Sequence, residues 1–323
     1  MRDEGIKTCA VVGAGAAGLT AARMLQARGV AVTVFDKGRK PGGRLATKST
    51  AHGTFDHGVQ YLAAEGASLR QSLLAPCSQG HAGTWAVSST DDPLILVRYP
   101  LVGVPSNNQI AQCWATGLSV LPEHHVESIR RAAATWQLRL AGQEQWRDFD
   151  AVVVTVPQPQ LQSLLPELAL PESLHRIEYA PCWTLMWVPV ETDLPELLPF
   201  SPAGHECIGW VAREDSKPGR SGPARYVVHA TATWSQRHLE QPAESAAAAL
   251  QTATAALLGI SPQAHFTAAH RWRFARVRQS LQLPQLQLAP GLHYASDGCL
   301  GDSVEYAMTS GAAATRALLA TRF

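Results

Sequence analysis

The chain has 323 residues, 46% of them hydrophobic, and 27 Lys+Arg against 26 Asp+Glu for a net charge of +1. That length exceeds what one core usually serves, so about two domains are expected; the near-neutral balance gives no global attraction to nucleic acid or to an anionic membrane. Six cysteines, at 9, 77, 113, 182, 207 and 299, show neither C-x-x-C nor paired metal spacing, so disulfides and bound metal are not expected.

The run Thr8-Cys9-Ala10-Val11-Val12 predicts a buried strand that begins within about ten residues of the start and leaves no room for a signal peptide. No apolar stretch nears the ~20 residues of a membrane helix, and a cytoplasmic protein is expected. Gly13-Ala14-Gly15-Ala16-Ala17-Gly18 follows, then an Ala- and Leu-rich helix, then a second strand, Ala31 to Phe35, ending at Asp36. In this pattern Gly13 permits a tight turn, Gly15 lets a pyrophosphate approach the backbone, and Gly18 lets helix and strand pack closely. The helix start directs N–H groups at phosphates. Asp36, 18 residues after Gly18, is placed to accept hydrogen bonds from a ribose.

The basic, glycine-rich segment 37–44 (Lys37 to Arg44) has two readings. It is a 2′-phosphate site for NADP, or a second phosphate clamp for a dinucleotide already held by the first turn. Asp36 disfavours a 2′-phosphate at that ribose.

Asp36 followed by Gly42-Gly43-Arg44, then Phe55-Asp56-His57-Gly58-Val59-Gln60-Tyr61, resembles the GG doublet and D-H-G-x-Q segment of the flavin amine oxidase superfamily, in particular its bacterial renalase-like branch. The resemblance implies non-covalent FAD.

Segments 85–87 and 94–99 predict an inserted hairpin, and 107–115 an amphipathic helix. Strands are expected at 118–121, 126–130 and 135–140, then an apolar strand at 150–156 that returns to the main sheet. The resemblance places the adenine near the backbone of Val126. His124 and His125 read as solvated loop residues, because neighbours on a strand face opposite ways.

Strands are expected near 182–188, 207–211 and 226–231, a polar mobile loop at 214–223, and an Ala-rich helix at 242–258. His270-Arg271-Trp272-Arg273-Phe274-Ala275 alternates aromatic and basic residues. Two readings stand: a strand with Trp272 and Phe274 inward and both arginines in solvent, or a strand whose aromatics face the flavin. The segment resembles the R-W-x-Y/F-A segment of renalase-like proteins.

Strand 292–295 leads through Ser296-Asp297-Gly298 into a helix from about 303 to 320. By resemblance Asp297 contacts the ribityl chain or pyrophosphate, and N–H groups near Val304 point at the flavin N1–C2=O region, stabilising the anionic reduced flavin. Ser296 stands where the family usually has glycine, and Gly298 where an aromatic is frequent.

The expected fold is α/β with two domains. A Rossmann-like FAD-binding domain (1–75, 106–165, 286–323) joins a mainly antiparallel β substrate domain (76–105, 166–285), in the manner of p-hydroxybenzoate hydroxylase and amine oxidases. Cofactor contacts are expected from Gly13, Gly15, Ala17, Gly18, Asp36 and Lys37. Others fall to Gly43, Arg44, Asp56, His57, Gly58, Val59, Gln60, Val126, Asp297 and Val304. For substrate, Tyr61, Trp183 and Trp272 are expected to line the cavity, and Arg98, Arg271 and Arg273 to meet phosphates.

The resemblance implies an oxidase that converts 2- or 6-dihydro isomers of NAD(P)H to NAD(P)+ by hydride transfer to flavin N5, with O2 reduced to hydrogen peroxide. Alternatives are an amine oxidase, a flavin dehydrogenase or isomerase with little O2 reactivity, and a non-enzymatic flavin-binding module. Against an amine oxidase, no aromatic residue follows Asp302-Ser303-Val304 until Tyr306, and none of Lys7, Lys37, Lys40, Lys48 and Lys217 stands in a recognised flavin-facing motif. No certain catalytic side chain emerges; His57 is the nearest candidate base.

Overall fold

The computed structural model describes residues 5–85, 100–192, 194 and 199–320. Arg98 and most of the hairpin expected at 85–99 lie outside the described residues.

The cofactor end is built on β1 (Thr8–Val12), α1 (Ala16–Gln26) and β2 (Ala31–Phe35). Cys9 and Val11 of β1 pack into one hydrophobic cluster, while Ala10 and Val12 pack into another. A strand buried on both faces reads as a continuous apolar run, as this one does. Two short hairpin strands follow, β3 (Lys48–Thr50) and β4 (Gly53–Phe55), and they pair with each other. The next region carries β5 (Leu62–Ala63), α2 (Ala67–Ser78), β6 (Ala82–Thr84) and β7 (Pro100–Gly103), the strands forming a small sheet in the order β5-β7-β6. α2 was not predicted, and its internal Pro76 obscures the helical signal.

After α3 (Asn107–Ala115) and β8 (Ser119–Leu121) comes an antiparallel three-stranded sheet of β9 (Val126–Ala132), β10 (Thr135–Leu140) and β11 (Trp146–Phe149). β12 (Ala151–Val154) then pairs in parallel with β1, and the short α4 (Leu161–Leu164) packs against β9.

The second large sheet contains β13 (Glu178–Pro189), β14 (Ile208–Arg213), β15 (Tyr226–Ala230) and β16 (Ala264–Gln279), with α5 (Ala232–Arg237) and α6 (Ala243–Leu258) between β15 and β16 in sequence. It is antiparallel throughout, in the order β14-β15-β13-β16. β17 (Leu286–Ala289), β18 (Leu292–Tyr294) and α7 (Val304–Ala320) return to the first sheet. That sheet has the order β17-β18-β12-β1-β2-β8, parallel except for edge strand β17. The architecture is the expected Rossmann-like unit joined to an antiparallel β unit. No helix among the described residues is long and apolar enough to cross a membrane.

The two faces of the second sheet differ. Trp183, Leu185 and Trp187 of β13 pack with Leu250 and Ala247 of α6, forming an outer, helix-covered face. Met186 and Val188 pack instead with Phe55 of β4, Val227 of β15 and Phe266 of β16, forming an inner face toward the cofactor unit. Alternation along each strand sets this division.

Segment 214–223 departs from expectation. Glu214 and Lys217 are fully buried, because the loop closes onto Asp56 of the cofactor unit instead of lying in solvent.

Candidate active site

The turn after β1 has the form its sequence requires. Gly13 sits at φ +107°, and a Cβ there would come within 2.6 Å of the Thr155 hydroxyl. A Cβ on Gly18 would collide with the Gly13 carbonyl oxygen, whereas Gly15 faces open space. Ala17 lies buried in the first turn of α1, and no side chain caps that helix. The approach to Gly15 and the N–H groups of the first turn are therefore open to an anion. Asp36 stands at the end of β2, where its carboxylate accepts the Ala14 and Gly38 amides, each at 2.6 Å. One lone pair per oxygen remains for a ribose hydroxyl. These residues fit a dinucleotide.

Gly43 comes to the same turn, its Cβ direction pointing at the Gly15 Cα. Arg44 reaches the C-terminal segment and grips Asp297 with both terminal nitrogens, at 2.7 and 2.6 Å. The Val59 amide donates to the Arg44 carbonyl at 2.8 Å, bringing the 55–61 segment alongside, and Gly58 lies close enough to that carbonyl to exclude a side chain. Val126 is buried at the start of β9, two residues past His124, whose amide donates to the Asp36 carbonyl at 2.9 Å. Lys37 projects toward Gln160, 3.5 Å away. Val304 opens α7, where Ser303 accepts the Tyr306 amide.

Between the two units lies an ion cluster. Asp56 accepts from Lys217 at 3.4 Å and from Arg220, while Lys217 also donates to Glu214. Thr47 and the Asn107 amide complete the shell of Asp56, at 2.6 and 3.0 Å, and the Asp56 amide donates to Glu214 at 3.1 Å. Against the cost of burial, Lys217 and Arg220 hold Asp56 below the usual carboxylate range. Burial pushes Glu214 up in spite of Lys217, making it the member that takes a proton more readily. The Gln60 amide donates to the Asp56 carbonyl and lies 3.4 Å from His229.

The inner face of the second sheet meets this cluster. His57 stacks on Trp272 with ring centroids 5.4 Å apart, and His270 stands edge-on to both, at 4.7 and 4.4 Å. The Trp272 indole donates to the His57 carbonyl at 2.9 Å. Burial and the neighbouring His270 bring His57 down to about 4. Burial and the charges of Lys217 and Arg276 bring His229 down to about 3. His270 is lowered too, by burial and Lys48. At neutral pH all three imidazoles are uncharged. Tyr61 faces Trp210 at 6.1 Å, and burial raises its phenol.

Other expected substrate residues lie elsewhere. Trp183 belongs to the outer face, its indole donating to the His238 carbonyl at 2.9 Å. Arg271 and Arg273 share Glu240, at 3.2 and 2.6 Å. Trp183, Glu240 and Arg271 line a surface depression of about 560 Å³ beside the start of α6. The structure brings His57 and Trp272 together, places Tyr61 against Trp210, and leaves Trp183, Arg271 and Arg273 apart from them.

Residues 11–74 match the NAD(P)-binding Rossmann-like domain, and residues 72–319 match the flavin-containing amine oxidoreductases. The chain belongs to the flavin-containing amine oxidoreductase family. Its members' fold recurs in solved structures. A triple mutant of putrescine oxidase aligns with a TM-score of 0.76 at 12% identity, over 97% of this chain and 99% of that one. Wild-type putrescine oxidase bound to putrescine gives 0.70 at 13% identity, over 98% and 99%. A protein from Exiguobacterium sp. 255-15 assigned as a protoporphyrinogen oxidase gives 0.72 at 14%, over 97% and 98%.

The protein is thus an FAD-dependent oxidoreductase. Sequence reasoning about this oxidoreductase missed Glu214, Lys217, Arg220, His229, His270 and Arg276. The one available signal was the i,i+3 spacing of Glu214 and Lys217, which brings opposite charges onto one side of a helical turn.

Proposed function

We propose that this oxidoreductase converts 2- or 6-dihydro isomers of NAD(P)H to NAD(P)+, consuming O2 and a proton and producing hydrogen peroxide. FAD supplies the two-electron acceptor and returns the electrons to O2. One observation carries the reading: among the described residues the β13–β16 row of the inner face carries no carboxylate of its own, and the carboxylates near it, Asp56, Glu214 and Asp302, are each engaged in ion pairs. From Ala180↔Arg276 to Val188↔Phe266, the inner row reads Ala180, Cys182, Thr184, Met186 and Val188 against Arg276, Trp272, His270, Ala268 and Phe266. The ionised member of that row is a cation, Arg276; His229, on which its charge bears, and His57, farther along the face, are neutral.

An ammonium there meets repulsion, and it must also lose a proton before oxidation. A dihydronicotinamide needs neither. Loss of hydride restores its aromatic ring, so the chain has only to orient the ring; proximity of this kind is worth roughly 7–11 kcal/mol. Trp272 and His57 provide flat surfaces for that purpose.

The amine oxidase alternative is compatible with the family match over residues 72–319. Oxygen uptake measured with 2- and 6-dihydroNAD(P), with putrescine and with aromatic amines separates the two. Turnover with the dihydronicotinamides alone supports the proposal. Turnover with amines alone refutes it, and bleaching without oxygen uptake assigns a dehydrogenase.

A further inference from the structure

We propose that Arg276, steered by Asp302, is the anion-recognition residue of the substrate site, and that it engages the pyrophosphate of a dinucleotide. The identity of that anion rests on the function proposed above; the assignment of the residue rests on geometry.

The strand position comes first. Arg276 lies opposite Ala180 and therefore shares the inner face with Trp272 and His270. β16 is an edge strand, so one flank of this row is open. The register of β16 against β13 shifts between Trp272 and Arg276, and this irregularity carries Arg276 along the row toward α7.

The state of the guanidinium is the second observation. Its Nε donates to Asp302 at 2.7 Å, and Asp302 is itself held by the Val277 amide at 3.2 Å. That contact uses one of five N–H donors, and the side chain is 75% exposed. Arg44 instead spends both terminal nitrogens on Asp297 and the Ala275 carbonyl, and Arg273 spends both on Glu240. Arg276 thus presents an oriented fork of the kind that matches phosphate oxygens.

Third, although exposed, Arg276 looks onto groups of the site. Its charge bears on Tyr61 from the cofactor loop, Cys182 from β13 and His229 from β15. Asp302 lies just before α7, so the same ion pair ties the substrate face to the segment expected to hold the flavin.

The test uses FAD-loaded protein and inorganic pyrophosphate, followed by calorimetry and by perturbation of the flavin absorbance. A charge-assisted phosphate contact predicts that Arg276→Gln weakens pyrophosphate and NAD+ binding about tenfold, with Arg276→Lys between the two. The same variant should reduce with 6-dihydronicotinamide riboside, which has no phosphate, at a half-saturation within about twofold of wild type. No pyrophosphate binding by the wild-type protein, an unchanged Kd in Arg276→Gln, or an equal loss with the riboside each overturns the assignment. Failure of the functional reading shows separately, as a wild-type flavin that no dihydronicotinamide reduces.

Discussion

The Trp272 indole N–H donates to the His57 carbonyl at 2.9 Å across 215 residues of sequence. Through that bond the second sheet holds the loop carrying the D-H-G-x-Q segment. Trp272→Phe keeps a ring for stacking and removes the bond. A net loss of about 1 kcal/mol is expected, read as a lower melting temperature and an FAD dissociation constant raised about fivefold. Unchanged FAD affinity would mean that the loop is positioned without Trp272.

Removal of the Asp36 carboxylate leaves the Ala14 and Gly38 amides without their acceptor and would remove the ribose contacts proposed for it. Asp36→Ala should lose roughly 1.5–3 kcal/mol of FAD affinity, the range for hydrogen bonds to charged groups. It should purify largely colourless and melt lower, because bound ligand stabilises the folded state. In the wild type, acid precipitation should release all flavin to the supernatant; colour in the pellet would contradict non-covalent binding.

The buried ion cluster predicts unequal effects within one pair. Lys217→Met leaves Glu214 and Asp56 sharing Arg220 and should cost about 3–5 kcal/mol, as breaking buried pairs does. Glu214→Gln keeps an acceptor at a group that burial already biases toward protonation, and should cost under about half of that. Urea unfolding of both variants decides it; equal midpoints would show that Lys217 is not the keystone of the cluster.

Acid should loosen the same region. His57 and His229 titrate near 4 and 3 when folded, below the ordinary histidine value, so the unfolded chain binds more protons between those limits. Stability therefore falls as pH drops from about 6.5 through 4, with a slope of up to ~1.4 kcal/mol per unit for each histidine. Around His57 stand His270, Lys48 and Asp56; around His229 stand Lys217, Arg276 and His57. His229→Gln should flatten the profile between pH 6 and 4, and an unaltered slope would mean that His229 is not held neutral.

How much of this was legible in the sequence follows from the range of the contacts. The β1–α1–β2 unit was, since Gly13, Gly18 and Asp36 act within some two dozen residues of one another. The alternation of β16 was also readable: Trp272 falls on the inner face against His57, while Arg271 and Arg273 fall on the other face, where they pair with Glu240. Arg276 was not readable, because a register shift against β13 decides where it falls. The Glu214–Lys217–Arg220 segment looked solvated from its charges, glycines and prolines. Its burial depends on Asp56, more than 150 residues away in sequence.

The most direct test of the central claim is anaerobic stopped-flow reduction of the FAD-loaded protein by 6-dihydroNAD, with putrescine in parallel. With Arg276 cationic and the site histidines neutral, reduction by 6-dihydroNAD should be fast and nearly flat from about pH 6 to 9. It should slow with deuterium at the donated position, and His57→Ala should still support it. Bleaching by putrescine alone, or loss of reduction in an FAD-replete His57→Ala, would contradict the account.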